Sequence, residues 1–271
     1  MTDQIAVLIG TGSIGVAIAR QCAVGRTLVL ADRDQEQLDV RAEELRNEGF
    51  TVETHPVDVS NREQVEELAT FADGLGTVTR IVHAAGVSPN QAPPQTIVAV
   101  DLLGTAFVLD AFGKVIGQGG AGIVIASQAG HMGSFDAEVE AQLAHVPLED
   151  LATIPALTEV ADSGAAYILA KRANALRVQA AALSWGDRGA RVNCLSPGII
   201  STPLGRHEMN GPQAEAYRVM LDRSPAGRMG TPSEIAGLAA FLLDERGSFI
   251  TGSDILCDGG VIAAMRAGRI G

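Results

Sequence analysis

Lysine, tyrosine and cysteine are all scarce in this chain. Of its 271 residues, two are lysines, two are tyrosines and three are cysteines. Cys22, Cys194 and Cys257 lie far apart, with no CxxC pair and no histidines at metal-ligand spacing. This spacing excludes a disulfide framework and the common zinc motifs, and it predicts reduced thiols. We therefore expect no metal site.

Basic runs and long apolar runs are also missing. The formal net charge is −12, which argues against nucleic acid or an anionic membrane as a partner. The first residues lack the basic start and the long apolar core of a signal peptide. We find no apolar run long enough to span a bilayer. A cytoplasmic protein without membrane contact is the expectation.

Short apolar runs alternate along the chain with longer segments of helical spacing, such as Gln35–Glu48 and Arg62–Phe71. Most of the runs lack alternation, as strands buried on both faces do. The candidate strands are Ile5–Ile9, Thr27–Ala31, Thr51–His55, Arg80–Ala84, Gly122–Ala126, Arg191–Leu195 and Asp254–Cys257. This order predicts the α/β class, with residues 1–271 forming a single doubly wound Rossmann domain on a mainly parallel sheet of about seven strands.

Two segments depart from the strand–helix rhythm. Residues 131–163 contain no candidate strand, and we interpret them as an insertion with a short helix at Asp136–Ala144 and a second at Leu148–Leu157, interrupted near Pro155. Residues 201–230 are polar and punctuated by glycine and proline. We expect this second segment to close over a substrate, with Leu204, Met209, Tyr217 and Met220 as apolar contacts.

A glycine-rich turn follows the first candidate strand and opens a helical pattern. It reads Gly10-Thr11-Gly12-Ser13-Ile14-Gly15. In this context Gly10 permits a tight turn, Gly12 lets the backbone approach a pyrophosphate, and Gly15 lets the helix pack close to the strand. The helix N-terminus then offers free N–H groups to phosphates. The pattern predicts a bound dinucleotide; a tight turn without a ligand is the alternative.

Asp32 ends the second candidate strand, where a carboxylate accepts hydrogen bonds from an adenosine ribose. Its charge disfavours a 2′-phosphate, so we expect NAD as the cofactor. The neighbouring Arg33 would attract that phosphate and keeps NADP open. The alternative role of Asp32 is a helix N-cap, for which Asp34 is better placed before Gln35.

Tyr167 and Lys171 stand four residues apart in a long helical pattern from Gly164 to Trp185. Residues at this spacing share one helix face. A free phenol has a pKa of about 10, and a nearby ammonium lowers it towards the range useful for proton transfer. Because the chain has so few tyrosines and lysines, this pairing predicts a catalytic site rather than a surface pair.

Together these motifs resemble the short-chain dehydrogenase/reductase family from about Ile5 to Val261. The resemblance implies a catalytic serine at Ser127. It also implies that both Tyr167 and Lys171 contact the cofactor, Lys171 at the nicotinamide ribose. It implies further cofactor contacts from residues in three segments, which are Asp58 and Val59; Ala84, Ala85 and Gly86; and Pro197, Gly198, Ile200 and Thr202. Relatives are usually homotetramers, which implies a homo-oligomer here.

Three departures from the family pattern stand out. The glycine turn is shorter than in most relatives. Asp101 occupies the position of a catalytic asparagine and would add negative charge near Lys171. Ser127 and Tyr167 are forty positions apart, a wider separation than usual, so the inserted residues emerge beside the site. We expect them to form either a substrate-side wall, with Leu148, Leu151, Ile154 and Leu157 as its apolar face, or a subunit contact or surface excursion.

The resulting hypothesis is an NAD(P)-dependent oxidoreductase that interconverts a secondary alcohol and a ketone by hydride transfer on a hydrophobic or cyclic small molecule. Ser127, Tyr167, Lys171 and Asp101 are the candidate catalytic residues. A 3-oxoacyl-carrier-protein reductase is one alternative, which the acidity of the chain disfavours. A catalytically silent dinucleotide sensor is another, and a dehydratase or epimerase with tightly held NAD is a third.

Overall fold

The computed structural model describes residues 3–270 and has a seven-stranded, entirely parallel sheet at its centre. The strands are β1 (Gln4–Ile9), β2 (Thr27–Asp32), β3 (Thr51–Pro56), β4 (Thr77–His83), β5 (Ala121–Ile125), β6 (Arg191–Pro197) and β7 (Asp254–Cys257). They lie in the order β3-β2-β1-β4-β5-β6-β7. From β1 the chain adds β2 and β3 on one side, and then adds β4 to β7 on the other side. The point between β1 and β4 where the strand order switches sides is where open α/β sheets bind ligands. The predicted fold class is confirmed.

Helices cover both faces of the sheet. In the first half they are α1 (Ser13–Cys22), α2 (Gln35–Asn47), α3 (Arg62–Leu75), α4 (Pro94–Ile97) and α5 (Gly104–Val115). In the second half they are α6 (Ala137–His145), α7 (Leu148–Leu151), α8 (Pro155–Thr158), α9 (Ser163–Asp187), α10 (Pro203–Glu208), α11 (Ala214–Arg223), α12 (Pro232–Leu243) and α13 (Val261–Arg266). The break between α7 and α8 falls before Pro155, as the sequence predicted.

Alternate residues of the strands send side chains to opposite faces, so the sheet has two cores. Val7 packs with α3, α5 and α9 on one face, and Leu8 packs with α1, α2 and α12 on the other. Each fully buried Leu or Ile stabilises the fold by about 1.5–3 kcal/mol relative to an exposed one. The carboxyl ends of the strands stay free of these cores, which leaves room for a site there.

Trp185, the single tryptophan, lies at the far end of α9 and is 1% exposed. Its indole Nε1–H donates a hydrogen bond of 3.1 Å to the carbonyl oxygen of Leu109 on α5. The ring contributes to the core on the α5–α9 face of the sheet. Trp185 therefore fastens these two helices together away from the strand ends.

One continuous helical stretch, Pro94–Val115, is long and apolar enough to cross a membrane by length and composition. The sequence reading missed it because Asp101, Asp110 and Lys114 interrupt the apolar run. In its most apolar window, 61% is buried inside the protein. Its packing against α3 and α9 is that of a core helix.

Candidate functional site

The glycine turn between β1 and α1 is locked against the loop that follows β4. Gly10 has φ +92°, a conformation that other residues rarely adopt, and a Cβ there would collide with the backbone of Ala84 and Ala85. Gly12 is the N-cap of α1, which has no side-chain cap. The first-turn N–H groups of a helix have no acceptors within it. The turn therefore presents unpaired N–H groups above the sheet.

A cavity of about 630 Å³ opens at this turn, over the carboxyl ends of β1, β2 and β4. Ten of the predicted cofactor-binding residues line it, which are Gly10, Gly12, Ser13, Asp32, Arg33, Asp58, Val59, Ala84, Ala85 and Gly86. Thr11 and Gly15 are buried behind its wall. The sequence reading missed other lining residues, among them Gln37, Arg41 and His207.

Asp32 holds the glycine turn in place. Its Oδ2 accepts hydrogen bonds from the Thr11 N–H at 2.7 Å and from the Thr11 hydroxyl at 2.8 Å, while Oδ1 accepts the Asp34 N–H at 3.2 Å. A carboxylate has about four acceptor positions, so one remains for a ligand. Asp34 caps α2 by accepting the Gln37 N–H, as expected. Asp32 thus has a structural role beside the one predicted for it.

A second cavity, of about 350 Å³, shares the wall Ala84–Val87 with the first. The predicted residues around it are Ile14, Ala84, Ala85, Gly86, Ser127, Tyr167, Lys171, Pro197, Gly198, Ile200 and Thr202. These come from α1, from α9 and from the carboxyl end of β6 and the loops that follow β4, β5 and β6, far apart in the sequence. The structure therefore brings three of the four candidate catalytic side chains, those of Ser127, Tyr167 and Lys171, into one chamber next to the glycine turn.

The loop that carries Ser127 lies directly on α9. Ser127 begins the short 3-10 helix Gln128–His131, and its Oγ accepts the Ala129 N–H at 3.1 Å. A Cβ at Gly130 would come within 2.9 Å of the backbone of Lys171. Glycine at this position lets the serine loop contact the helix that bears Tyr167. This contact sets the spacing between the candidate residues.

The net shift of the Tyr167 pKa is opposite to the sequence expectation. Burial raises the pKa of Tyr167, and the charges of Asp101 and Glu208 raise it further. Lys171, with its Nζ 5.3 Å from the centre of the Tyr167 ring, lowers the pKa as predicted, and so does the neighbouring Ser127. Burial outweighs these two because charging a phenol away from water is costly.

Asp101 is completely buried and pairs with Lys171. Its Oδ2 lies 3.3 Å from the Lys171 Nζ, and its Oδ1 accepts the Val87 N–H at 2.8 Å. Burial alone would lower the pKa of Lys171, but Asp101 and Tyr167 outweigh it and the pKa is raised. Burial raises the pKa of Asp101 more than Lys171 lowers it. Asp101 lines neither cavity, so it acts through Lys171.

The helix around Asp101 is a π-helical segment, Val98–Leu103, inserted between α4 and α5. Such segments often occur at functional sites because they redirect a side chain. Nearby, His83 is buried, and its Nε2 lies 3.0 Å from the Thr105 Oγ1. Burial and the charge of Lys171 lower the pKa of His83 to about 3. His83 is therefore neutral and has a structural role beside the site.

The apolar face of the predicted insertion turns inward. Leu151, Ile154 and Leu157 are buried in a third cluster with residues of α4 and α9, and Leu148 packs against it. Met132 is the one residue between 131 and 163 that lines the second cavity. The four residues therefore form no substrate-side wall, because α9 already offers them an apolar partner.

Residues 201–230 form the outer wall of the second cavity. Leu204, Tyr217 and Met220 line it, as expected, whereas Met209 does not. The sequence reading missed Gln128, Glu208 and Gln213, which also line it. Polar residues in a polar segment carry no periodic signal, so only the fold shows that Glu208 is buried.

Comparisons with known proteins agree with this geometry. A family model described as Enoyl-(Acyl carrier protein) reductase matches residues 9–143 and 151–262. The chain is 40% identical over 268 residues to Short-chain dehydrogenase/reductase bsc3 of Alternaria brassicicola, with 98% of each protein covered. The chain belongs to the short-chain dehydrogenase/reductase family. The family match is interrupted only inside the predicted insertion.

Other known proteins are similar to this chain over nearly their whole length. Galactitol 2-dehydrogenase (L-tagatose-forming) of Cereibacter sphaeroides is 32% identical over 265 residues, covering 94% of this chain and 93% of that enzyme. The crystal structure described as Short-chain dehydrogenase/reductase SDR:Glucose/ribitol dehydrogenase, from Brucella melitensis, has a TM-score of 0.75 at 25% identity, with 96% of each chain covered. Membership of the family implies a nicotinamide dinucleotide as cofactor.

The first cavity of this short-chain dehydrogenase/reductase fits such a dinucleotide. A Cβ built at Gly12 meets nothing within 4 Å, so the space above the turn is open. The N-terminus of α1 has no side-chain cap, and its partial positive charge attracts anions such as phosphates. The two cavities adjoin, so that an extended ligand reaches from Asp32 to Tyr167.

Gly12→Val tests this assignment directly. Gly12 has φ −68° and ψ 172°, which any residue adopts, and a Cβ there would meet no neighbour within 4 Å. We expect the free energy of unfolding to fall by about 1 kcal/mol or less. The Kd for NADH should rise at least about tenfold, which corresponds to about 1.4 kcal/mol of binding free energy. Gly74→Val, at an equally open position on α3, is the matched control. Unchanged NADH binding by folded Gly12→Val protein would place the dinucleotide elsewhere.

Proposed function

We propose that the chain is an NAD(P)-dependent oxidoreductase in which Tyr167, Lys171 and Ser127 interconvert a secondary alcohol and a ketone. The observation that carries the proposal is the meeting of these three side chains in a cavity that adjoins the glycine turn. Relatives named as alcohol-oxidising enzymes, such as galactitol 2-dehydrogenase, support the interconversion of an alcohol and a ketone.

Each side chain has a distinct task. Bound nicotinamide supplies the hydride acceptor or donor. Tyr167 takes the hydroxyl proton of an alcohol at its Oη, or returns it to a ketone oxygen. The Ser127 Oγ accepts the Ala129 N–H, so its own proton is free for the substrate oxygen, whose charge changes along the path. Lys171 opposes the effect of burial on the Tyr167 pKa, and it would also hold the nicotinamide ribose of the bound cofactor.

Asp101 is a positioning residue in this scheme. Its carboxylate raises the pKa of the buried Lys171 and so keeps the ammonium charged. A charged Lys171 is what lowers the pKa of Tyr167. The Asp101 side chain is acceptor-only when ionised, which suits it to a cation better than to a water relay.

NAD is the proposed preferred cofactor, because the charge of Asp32 lies at the adenosine end of the first cavity. Arg33 and Arg41 line the same end and leave NADP as a weaker ligand. We expect wild-type protein to bind NADH at least about tenfold tighter than NADPH. Asp32→Asn should lower this ratio about fivefold to tenfold, and Arg33→Gln should raise it. Equal or tighter NADPH binding by wild-type protein would reverse the assignment.

The direct test of the proposed function is titration with NADH and NADPH, followed by absorbance of the reduced nicotinamide across secondary alcohols and ketones. Binding with turnover supports it. Binding without turnover on any member contradicts the proposed reaction and favours a sensor. A 3-oxoacyl-carrier-protein substrate belongs in the panel because the description of the matching family model names an acyl carrier protein, although the net charge of −12 disfavours an acidic carrier.

Three further expectations stay predictions. Apolar side chains of the second cavity, such as Ile125, Ile168 and Met220, support a substrate with hydrophobic or cyclic parts. Leu183 on α9 and Phe249 are exposed, which supports burial against further copies of the chain in a tetramer. A cytoplasmic location rests on the sequence alone.

A further inference from the structure

The second cavity contains a buried carboxylate that the proposed reaction does not use. Glu208, at the end of α10, is 7% exposed and lines this cavity together with Ser127 and Tyr167. The effect of its charge on the Tyr167 pKa shows that it lies within electrostatic reach of the phenol. A buried carboxylate is costly unless its oxygens receive hydrogen bonds.

The two oxygens of Glu208 are not used equally. Oε2 accepts two hydrogen bonds of 2.9 Å, from the Asn90 amide and from the Tyr217 hydroxyl. Oε1 is buried and has no hydrogen-bond partner among residues 3–270. Asn90 and Tyr217 thus orient the carboxylate but leave half of its acceptor capacity open.

Gln128 adds a second acceptor to the same cavity. It is 4% exposed, and its Oε1 also lacks a partner among the described residues. Its Nε2 lies 4.0 Å from the Met220 Sδ, a weak contact. The remaining wall is largely apolar, so a ligand meets an apolar chamber with two buried acceptors and no positive charge apart from Lys171 among its described residues.

From this arrangement we infer that the substrate carries a second hydroxyl group near the reacting carbon, and that this hydroxyl donates a hydrogen bond to the Glu208 carboxylate. The inference rests on the proposed function, since it names the substrate class of the same site. A hydroxyl is the donor that fits, because it can donate to Glu208 and also accept a hydrogen bond from the Gln128 amide, whose Nε2 has only the weak Met220 contact, whereas an ammonium only donates. The substrate is then a diol, a polyol or a hydroxyketone rather than a simple alcohol.

The substitution Glu208→Gln tests this with a matched pair of substrates, cyclohexane-1,2-diol and cyclohexanol, which differ by one hydroxyl. In wild-type protein we expect kcat/KM to be at least about tenfold higher for the diol, as befits a hydrogen bond to a charged group. In Glu208→Gln protein this ratio should fall at least about tenfold. Equal kcat/KM values for the two alcohols in wild-type protein would overturn the inference.

Two control variants separate recognition from folding. Asn90→Ala removes one support of the carboxylate but keeps the charge, so the diol-to-alcohol ratio should change less than about threefold. Glu215 lies in the same segment, and its side chain is 83% exposed. Glu215→Gln therefore removes an exposed carboxylate and should leave the diol-to-alcohol ratio unchanged. If all three variants change the ratio alike, Glu208 is only a structural tether and the inference fails.

Binding supplies a readout that does not depend on turnover. With NAD saturating, we expect the diol to raise the Tm of wild-type protein more than cyclohexanol does, and this difference to vanish in Glu208→Gln protein. If no alcohol is oxidised but the Tm difference is present, the proposed function fails, while the recognition of a second hydroxyl by Glu208 stands. A larger Tm increase with 2-aminocyclohexanol than with the diol would show that Glu208 prefers an ammonium to a hydroxyl, and it would overturn the inference.

Discussion

Tyr167→Phe protein should lose at least about a hundredfold in kcat, because general acid–base catalysis by a positioned side chain contributes about 10²–10⁴-fold. The substitution removes one hydroxyl and keeps the ring that packs in the third apolar cluster. The Kd for NADH should therefore stay within about threefold of the wild-type value. Stopped-flow absorbance of the reduced nicotinamide measures the first quantity, and fluorescence titration measures the second.

Tyr217→Phe is the matched control, since it removes the chain's only other phenol from the same cavity. The Tyr217 hydroxyl donates to Glu208 and has no place in proton transfer. Its loss should lower kcat by about tenfold at most. If the two variants lose the same activity, a general disturbance of the cavity explains both and Tyr167 loses its assigned role.

Asp101→Ala should lower the free energy of unfolding by about 3 kcal/mol or more. The substitution leaves the ammonium of Lys171, which is 5% exposed, without its partner, and it removes the acceptor of the Val87 N–H. Breaking a buried ion pair from one side costs about 3–5 kcal/mol. Urea unfolding at neutral pH measures the loss. A change below about 1 kcal/mol would mean that water already solvates Lys171.

Asp101→Asn distinguishes the charge from the hydrogen bond. An amide oxygen still accepts the Val87 N–H, so the loss of stability should be smaller than in Asp101→Ala protein. Without the Asp101 charge, the buried Lys171 loses the partner that raises its pKa, so its ammonium is held less firmly. Because Lys171 affects the Tyr167 pKa more strongly than Asp101 does, weakening the ammonium raises the pKa of Tyr167. Alcohol oxidation, which needs the phenolate, should then reach its plateau at a higher pH. An unchanged pH profile would show that Asp101 does not act on Tyr167.

Local sequence signals were sufficient for the fold and for the residues next to strand ends. The continuous apolar runs β1, β2 and β5 identify strands buried on both faces, and parallel pairing then brings their carboxyl ends together. Ser127 and Asp32 follow such ends, and Tyr167 and Lys171 share a helix face. These side chains come together because the strands are parallel and their carboxyl ends lie at one edge of the sheet.

Packing partners were beyond the reach of the sequence. The apolar face of Leu151, Ile154 and Leu157 was visible as a pattern, but nothing in the pattern distinguishes a surface over a substrate from one against α9. The net direction of the Tyr167 pKa depends on how deeply the phenol is buried, which is a property of the whole fold. Glu208 shows the same limit, since its burial arises from contacts with Asn90 and Tyr217.

The position of Trp185 gives the protein two separate optical signals. Trp185 and Tyr167 lie on the same helix, 18 residues and so about 27 Å apart along its axis. A ligand in the substrate cavity leaves the indole untouched, whereas separation of α5 from α9 breaks its bond to Leu109 and exposes it to water. At constant cofactor occupancy, tryptophan emission should therefore report melting of the hydrophobic interior, while fluorescence of the reduced cofactor reports occupancy, in one cuvette.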